Sequence, residues 1–152
     1  MAYIQLFAPE TSLIRVFFGV DAAVGPGQPN RREDVLLVQY FLRAMAGKEY
    51  DLGKGNFIGV PGKPPIAVDG VCGINTIAAI KRFQSLYHEG KVKDGVVDPN
   101  PPGQTHGRRH ESPYTIIGLN TNYAGFFGKD RHAQMGVQPD YPAELKAKFY
   151  VR

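Results

Sequence analysis

Apolar positions in this chain recur with two different periods. Residues 3–8 and 13–18 are short runs rich in β-branched and aromatic side chains, separated by Pro9-Glu10-Thr11-Ser12, and they predict a strand pair or extended arm. Gly25-Pro26-Gly27-Gln28-Pro29 then interrupts regular structure, since no helix interior or central strand tolerates that density of breakers. A helical period follows: Val35, Val38, Leu42 and Met45 fall at i, i+3, i+7 and i+10, and Leu37 and Phe41 widen the stripe. Asn30 stands where it can cap this helix, and Glu33 and Asp34 lie in the first turn, where the dipole favours anions. Gly47 stands where it can close the helix.

A second helix is predicted over 75–87, with Ile77, Ile80, Phe83 and Tyr87 as its inward face and Gly90 as its end. Ser112-Pro113 has the form of an N-cap followed by proline at the first helical position, so a third helix should begin there and carry Ile116, Ile117 and Leu119. Tyr141-Pro142-Ala143-Glu144-Leu145-Lys146 predicts a short C-terminal helix. The connections at 46–67 and 98–111 are dense in Gly and Pro and exceed the usual length of about 4–6 residues. The loop at 46–67 is the best candidate for specificity, since binding residues concentrate on loops held by a rigid scaffold. Its alternative reading is a tolerated surface insertion, because each doubling of loop length costs only about 0.6 kcal/mol.

Composition narrows the class. A chain of 152 residues, 43% hydrophobic and 11% aromatic, can build one core that hides roughly 68–70% of its unfolded surface. Its 18 glycines and 12 prolines exceed average usage of about 7% and 5%, which predicts shaped loops between a modest number of elements. The net charge of +4 is mild and comes without a block of like charges, so a nucleic-acid partner is not indicated. No apolar run approaches the roughly 20 residues that cross a bilayer, so no membrane partner is indicated either. One cysteine, Cys72, excludes an internal disulfide framework and a Cys-rich zinc module. The start of the chain lacks the basic region and unbroken apolar run of a secretory leader, so cytoplasmic synthesis without a Sec signal is expected.

A small unit is repeated. Val68-Asp69-Gly70-Val71 recurs as Lys93-Asp94-Gly95-Val96, and each copy sets an Asp-Gly turn beside apolar residues. The first copy continues through Cys72-Gly73-Ile74-Asn75-Thr76 directly into the second helix. Both helices also contain an apolar residue followed by glutamine, Val38-Gln39 and Phe83-Gln84, and a glutamine beside a buried stripe can reach across to tie loop backbone.

These blocks resemble the peptidoglycan-binding-like domain, a small three-helix module attached to many cell-wall hydrolases. The family helix reads roughly Asp-Val-x-x-Leu-Gln-x-x-Leu, and here it is Asp34-Val35-Leu36-Leu37-Val38-Gln39-Tyr40-Phe41-Leu42, with Val38 in place of Leu. The next family block, Asp-Gly-x-Phe-Gly-x-x-Thr-x-x-Ala-Val-x-x-Phe-Gln, is similar to residues 69–84, with Cys72 for Phe and Ile80 for Val. Asp94-Gly95-Val96-Val97-Asp98-Pro99 looks like the last turn, and the Thr-led helix follows only at Thr115, after an insertion. The resemblance covers about 30–120. It implies a mainly α-helical fold: a three-helix unit over 30–123 with insertions at 46–67 and 98–111, preceded by an extended arm and linker (1–29) and followed by a C-terminal extension (124–152).

The function implied by the resemblance is recognition of bacterial peptidoglycan, through its glycan or its stem peptide, without cleavage. Asp69, Gly70, Gly73, Asn75 and Thr76 would border a shallow groove, Tyr50 and Tyr87 would lie under a sugar ring, and Lys81 and Arg82 would meet stem-peptide carboxylates. The Asp-Gly corners also have a purely structural reading, since turn chemistry alone accounts for them. Tyr87 fits the core stripe as well as it fits a groove. Catalysis is not expected. His106 and His110 stand four apart with His132 downstream, but a zinc hydrolase needs three converging ligands and a carboxylate base, and His-Glu-x-x-His is missing. There is no Gly-x-Ser-x-Gly elbow, and Cys72 sits at a position the family fills with a buried Phe. No cofactor or metal is implied. A phage particle or a contractile injection system is the expected setting, with delivery to the periplasm or residence on the virion. The alternative is an assembly protein of the same fold whose arm residues Ile4, Leu6, Phe7, Phe17 and Phe18 add a strand to a neighbouring protein.

Overall fold

The computed structural model describes residues 2–6, 16–51, 58–59, 64–87, 92–101, 114–148 and 150–151. The fold is mainly α-helical. Its elements run β1 (Tyr3–Leu6), β2 (Val16–Gly19), α1 (Arg32–Asp51), α2 (Ile74–Tyr87), α3 (Thr115–Phe127), α4 (Lys129–Ala133), a 3₁₀ turn (Met135–Val137), α5 (Ala143–Lys148) and β3 (Tyr150–Val151). α1 is the central post, packed against α2, α3 and α5. Val35, Leu37, Val38, Phe41, Leu42 and Met45 are all fully buried, as the helical stripe predicts, and Leu36 and Tyr40 are nearly so. Positions 34–42 are buried on every side, as expected where a helical stretch is apolar almost all round. Ile80 and Phe83 of α2 and Ile116, Ile117 and Leu119 of α3 complete the same core.

Several boundaries depart from the sequence pattern. Asn30 does not cap α1. It adopts φ 47° and closes the preceding loop, where its Oδ1 accepts from Gly25 N (2.8 Å) and its Nδ2 donates to the carbonyls of Gly25 (2.9 Å) and Gln28 (3.0 Å). Asp34 in the first turn is fully buried and accepts from Asp21 N (3.1 Å) and Ala22 N (3.2 Å), so it ties the incoming segment to α1. Burial raises its carboxyl above the ordinary range. Gly47 does not end α1, which continues to Asp51. The last turn is held by buried Glu49, which accepts from Ile58 N (2.9 Å) and from the Tyr87 hydroxyl (2.6 Å). Those contacts outweigh the roughly 1 kcal/mol that an interior glycine costs. α3 begins at Thr115 with extended Tyr114 as its N-cap, rather than at Ser112-Pro113, which lies outside the described residues. Gly90 also lies outside them.

The predicted strand pair exists, but it is part of a three-stranded sheet of order β2-β1-β3, with β1 antiparallel to β2 and parallel to β3. β1 is therefore the central strand, and Phe17 and Phe18 lie in the core of their own chain. Phe17 and Phe18 are thus covered within their own chain, and β3 lies beside Tyr3 and Ile4 of β1; Phe7 lies outside the described residues. The outer edge of β2 is covered by a side chain. Asn120 of α3 accepts from Phe18 N (2.9 Å) and donates to Phe18 O (2.9 Å), mimicking a neighbouring strand. Its Oδ1 also meets His132 Nε2 of α4 at 2.9 Å.

Because Asn120 Oδ1 is an acceptor there, His132 Nε2 carries the proton. His132 Nδ1 is buried without a hydrogen-bond partner among the described residues, with the rings of Phe18 and Tyr123 alongside. Burial lowers the imidazole from 6.5 to about 4. The folded state therefore binds fewer protons than the unfolded chain, and this stabilisation is complete above the ordinary value and lost as pH falls from about 6.5 toward about 4. Urea unfolding at pH 7 and pH 5 should show a loss of roughly 2 kcal/mol from this group. His132→Gln retains the donor without the titration and should lack that share of the pH dependence; an equal pH dependence in both proteins would refute the assignment.

Candidate functional site

Two buried glutamines organise the helices. The Gln39 amide on α1 accepts from Asp69 N (3.0 Å) and Gly70 N (2.9 Å) through Oε1, and its Nε2 donates to Asp69 Oδ1, Val71 O and Thr76 Oγ1, each at 3.0 Å. The Gln84 amide on α2 repeats this arrangement. Its Oε1 accepts from Gly95 N (2.9 Å), and its Nε2 donates to Asp94 Oδ1 (3.1 Å), Val96 O (3.1 Å) and Thr115 Oγ1 (3.0 Å). Each clasp joins one helix, an Asp-Gly corner and the first turn of the next helix. Gly70 (φ 76°) and Gly95 (φ 73°) take the left-handed conformation the corner needs. A Cβ on Gly70 would also meet Arg32 at 2.7 Å.

These contacts sort the predicted ligand residues. Gly70 and Thr76 are buried in the first clasp. The Asp69 carboxylate accepts from Val71 N (3.0 Å), and that bond together with the Gln39 amide lowers it below the usual carboxylate range. Tyr87 is half-buried, its hydroxyl on Glu49 and its ring beside Phe83 and Phe126. Arg82 Nη1 donates to Ile58 O (3.3 Å), so it braces the segment after α1, and the stem of exposed Lys81 lies over Gly95. Gly73, Ile74 (83% exposed) and Asn75 face solvent at the start of α2, beside Val71 (63%), and Tyr50 (69%) is exposed near the end of α1. Asn75 and Tyr87 stand at opposite ends of α2, about 18 Å apart at 1.5 Å per residue, so one sugar ring cannot touch both.

The other candidates lie apart from this surface. Cys72 is half-buried, and burial raises its thiol above the ordinary value, which disfavours the nucleophilic thiolate. His106 and His110 lie outside the described residues, and His132 is enclosed with Asn120 and Phe18. Among the described residues no group of three or more His, Cys, Asp and Glu side chains is gathered to hold a metal ion, and no helix is long and apolar enough to cross a membrane. Sequence periodicity does not identify the ties made by Asp34 and Asn120, because their partners lie in other elements. The first clasp is bordered by a further one: Arg32 donates to Asp69 O (2.7 Å) and pairs with Glu144 of α5 (2.6 and 2.8 Å).

The clasp geometry sets stability expectations measurable by urea unfolding. Gln39→Leu strands two corner amides and the Thr76 hydroxyl and should destabilise by about 2–4 kcal/mol, since each buried unmet group costs roughly 1–3 kcal/mol. Gly70→Ala should lose at least about 1–2 kcal/mol from its positive φ and the Arg32 approach. Gly73→Ala meets nothing within 4 Å and should stay within about 0.5 kcal/mol of the parent. Comparison of the chain with protein-family models, curated proteins and solved structures finds no match.

Proposed function

We propose that this chain is a non-catalytic docking module for bacterial peptidoglycan, carried by a phage particle or a contractile injection system. The observation that supports this reading is the pair of clasps. Gln39, Asp69, Gly70, Thr76 and Gln84, on which the resemblance to peptidoglycan-binding-like domains rests, act together as the joints between the helices. The resemblance therefore falls on the residues that build the scaffold rather than on scattered surface positions. The ligand surface in this reading is the solvent-facing start of α2. Asn75 supplies an amide for polar groups of the wall fragment, and Val71 and Ile74 supply apolar contact for lactyl and alanyl methyl groups. Tyr50, next to Glu49 and so toward the Tyr87 end of α2, offers a second and separate contact, a ring with a polar tip for a sugar face farther along the glycan.

Sedimentation with purified murein sacculi tests this. The full chain should pellet with sacculi, and Asn75→Ala and Tyr50→Ala should each weaken pelleting about fivefold, equivalent to roughly 1 kcal/mol per lost contact, with unchanged unfolding curves. A parent chain that remains in the supernatant overturns the proposal. Pelleting that neither substitution weakens overturns the assigned surface.

A further inference from the structure

A cleft of about 320 Å³ opens between α1, the residue before the first Asp-Gly corner and the turn leading into α5, lined by Tyr40, Arg43, Ala44, Val68, Asp140 and Pro142. Two ties set its shape. The Arg32–Glu144 pair fixes α5 to the start of α1. Farther along α1, the Tyr40 hydroxyl donates to Asp140 Oδ1 at 2.9 Å while its ring meets Tyr141 edge-on at 5.1 Å. Asp140 stands in a turn closed by Tyr141 N on Gln138 O (3.1 Å), with Pro139 restricting the backbone. Its carboxylate is thus placed in advance, with one oxygen anchored and the other accepting no hydrogen bond from a described residue.

Arg43 supplies the opposite charge. It is exposed and makes no hydrogen bond or ion pair with a described residue, unlike Arg32, which is held by Glu144 and Asp69 O. Apart from Tyr40 and the two charged residues, the lining is small and aliphatic: Ala44, Val68 and Pro142. A simple anion entering here meets Asp140, a simple cation meets Arg43, and an uncharged sugar satisfies neither. At roughly 30 Å³ per water, the space equals about ten waters, enough for a small dipeptide.

We propose that this cleft binds a short zwitterionic peptide of small residues. The α-carboxylate lies across the Arg43 guanidinium, the α-ammonium meets the outer oxygen of Asp140, and the methyl groups rest on Ala44, Val68 and Pro142. The site does not depend on peptidoglycan docking, and free peptides test it without sacculi. Titration of the ¹⁵N-labelled full chain with alanyl-alanine should give saturable amide shifts at Ala44, Val68 and Asp140, with a Kd on the order of 1 mM, as suits a small open cleft. N-acetyl-alanyl-alanine and alanyl-alanine amide, each lacking one charge, should bind at least about tenfold more weakly. Arg43→Gln should abolish the preference for a free carboxylate. Asp140→Asn retains an acceptor for Tyr40 and should abolish the preference for a free amine, with amide signals elsewhere unchanged in both variants. Equal or unsaturable shifts with all three peptides, or parental binding by Arg43→Gln, would overturn the site.

Discussion

A primary amide offers two donors and two acceptor lone pairs in one plane, and the fold depends on two such groups placed where no water competes for them. The Gln39 amide has both lone pairs engaged by backbone N–H groups and its two hydrogens distributed over three oxygens. This saturation fixes the orientation of the amide, since a flipped group would set donors against donors. Glutamate has no donor for Thr76 Oγ1, and leucine has neither function. Through Gln84 the same device joins α2 to α3, so α2 is held at both ends by the same chemistry.

The segments outside the clasped helices are joined to α3 and to the loop after the second corner by a few polar contacts set in apolar surroundings. Tyr3 of β1 reaches Asn100, just past the second corner, at 2.7 Å; Val24 pairs with Val97 as an isolated bridge; and Asn120 covers the edge of β2. Each tie is buried or partly buried, so each discriminates strongly between partnered and unpartnered states. The apolar cluster is correspondingly continuous from Ala2 to Leu145, and the arm and C-terminal extension share one core with the helices.

The clasps bear on function by consuming polar groups. Thr76, Gly70, Tyr87 and Arg82 carry groups suited to ligand recognition, yet all of them are engaged within the chain. Among the described residues, exposed groups occur at the start of α2, at Tyr50 and in the charged cleft between α1 and Asp140. The proposed wall contact and the proposed peptide site use these exposed groups and leave the clasps intact.

Local pattern alone determined the three long helices, most of their buried positions (in α2 Ile80 and Phe83, while Ile77 and Tyr87 are only half-buried), the Asp-Gly corners and the role of the glutamines, because periodicity, turn chemistry and amide valence are properties of short stretches. Tertiary structure decided the remainder. α1 runs through Gly47 because Glu49 finds Ile58 and Tyr87, and Asn30 leaves its capping place to close a loop. β1 becomes a central strand because the far end of the chain returns to it as β3. The cleft could not be read from sequence at all: Tyr40 and Asp140 lie 100 residues apart, and a long-range contact leaves no periodic signal in either segment.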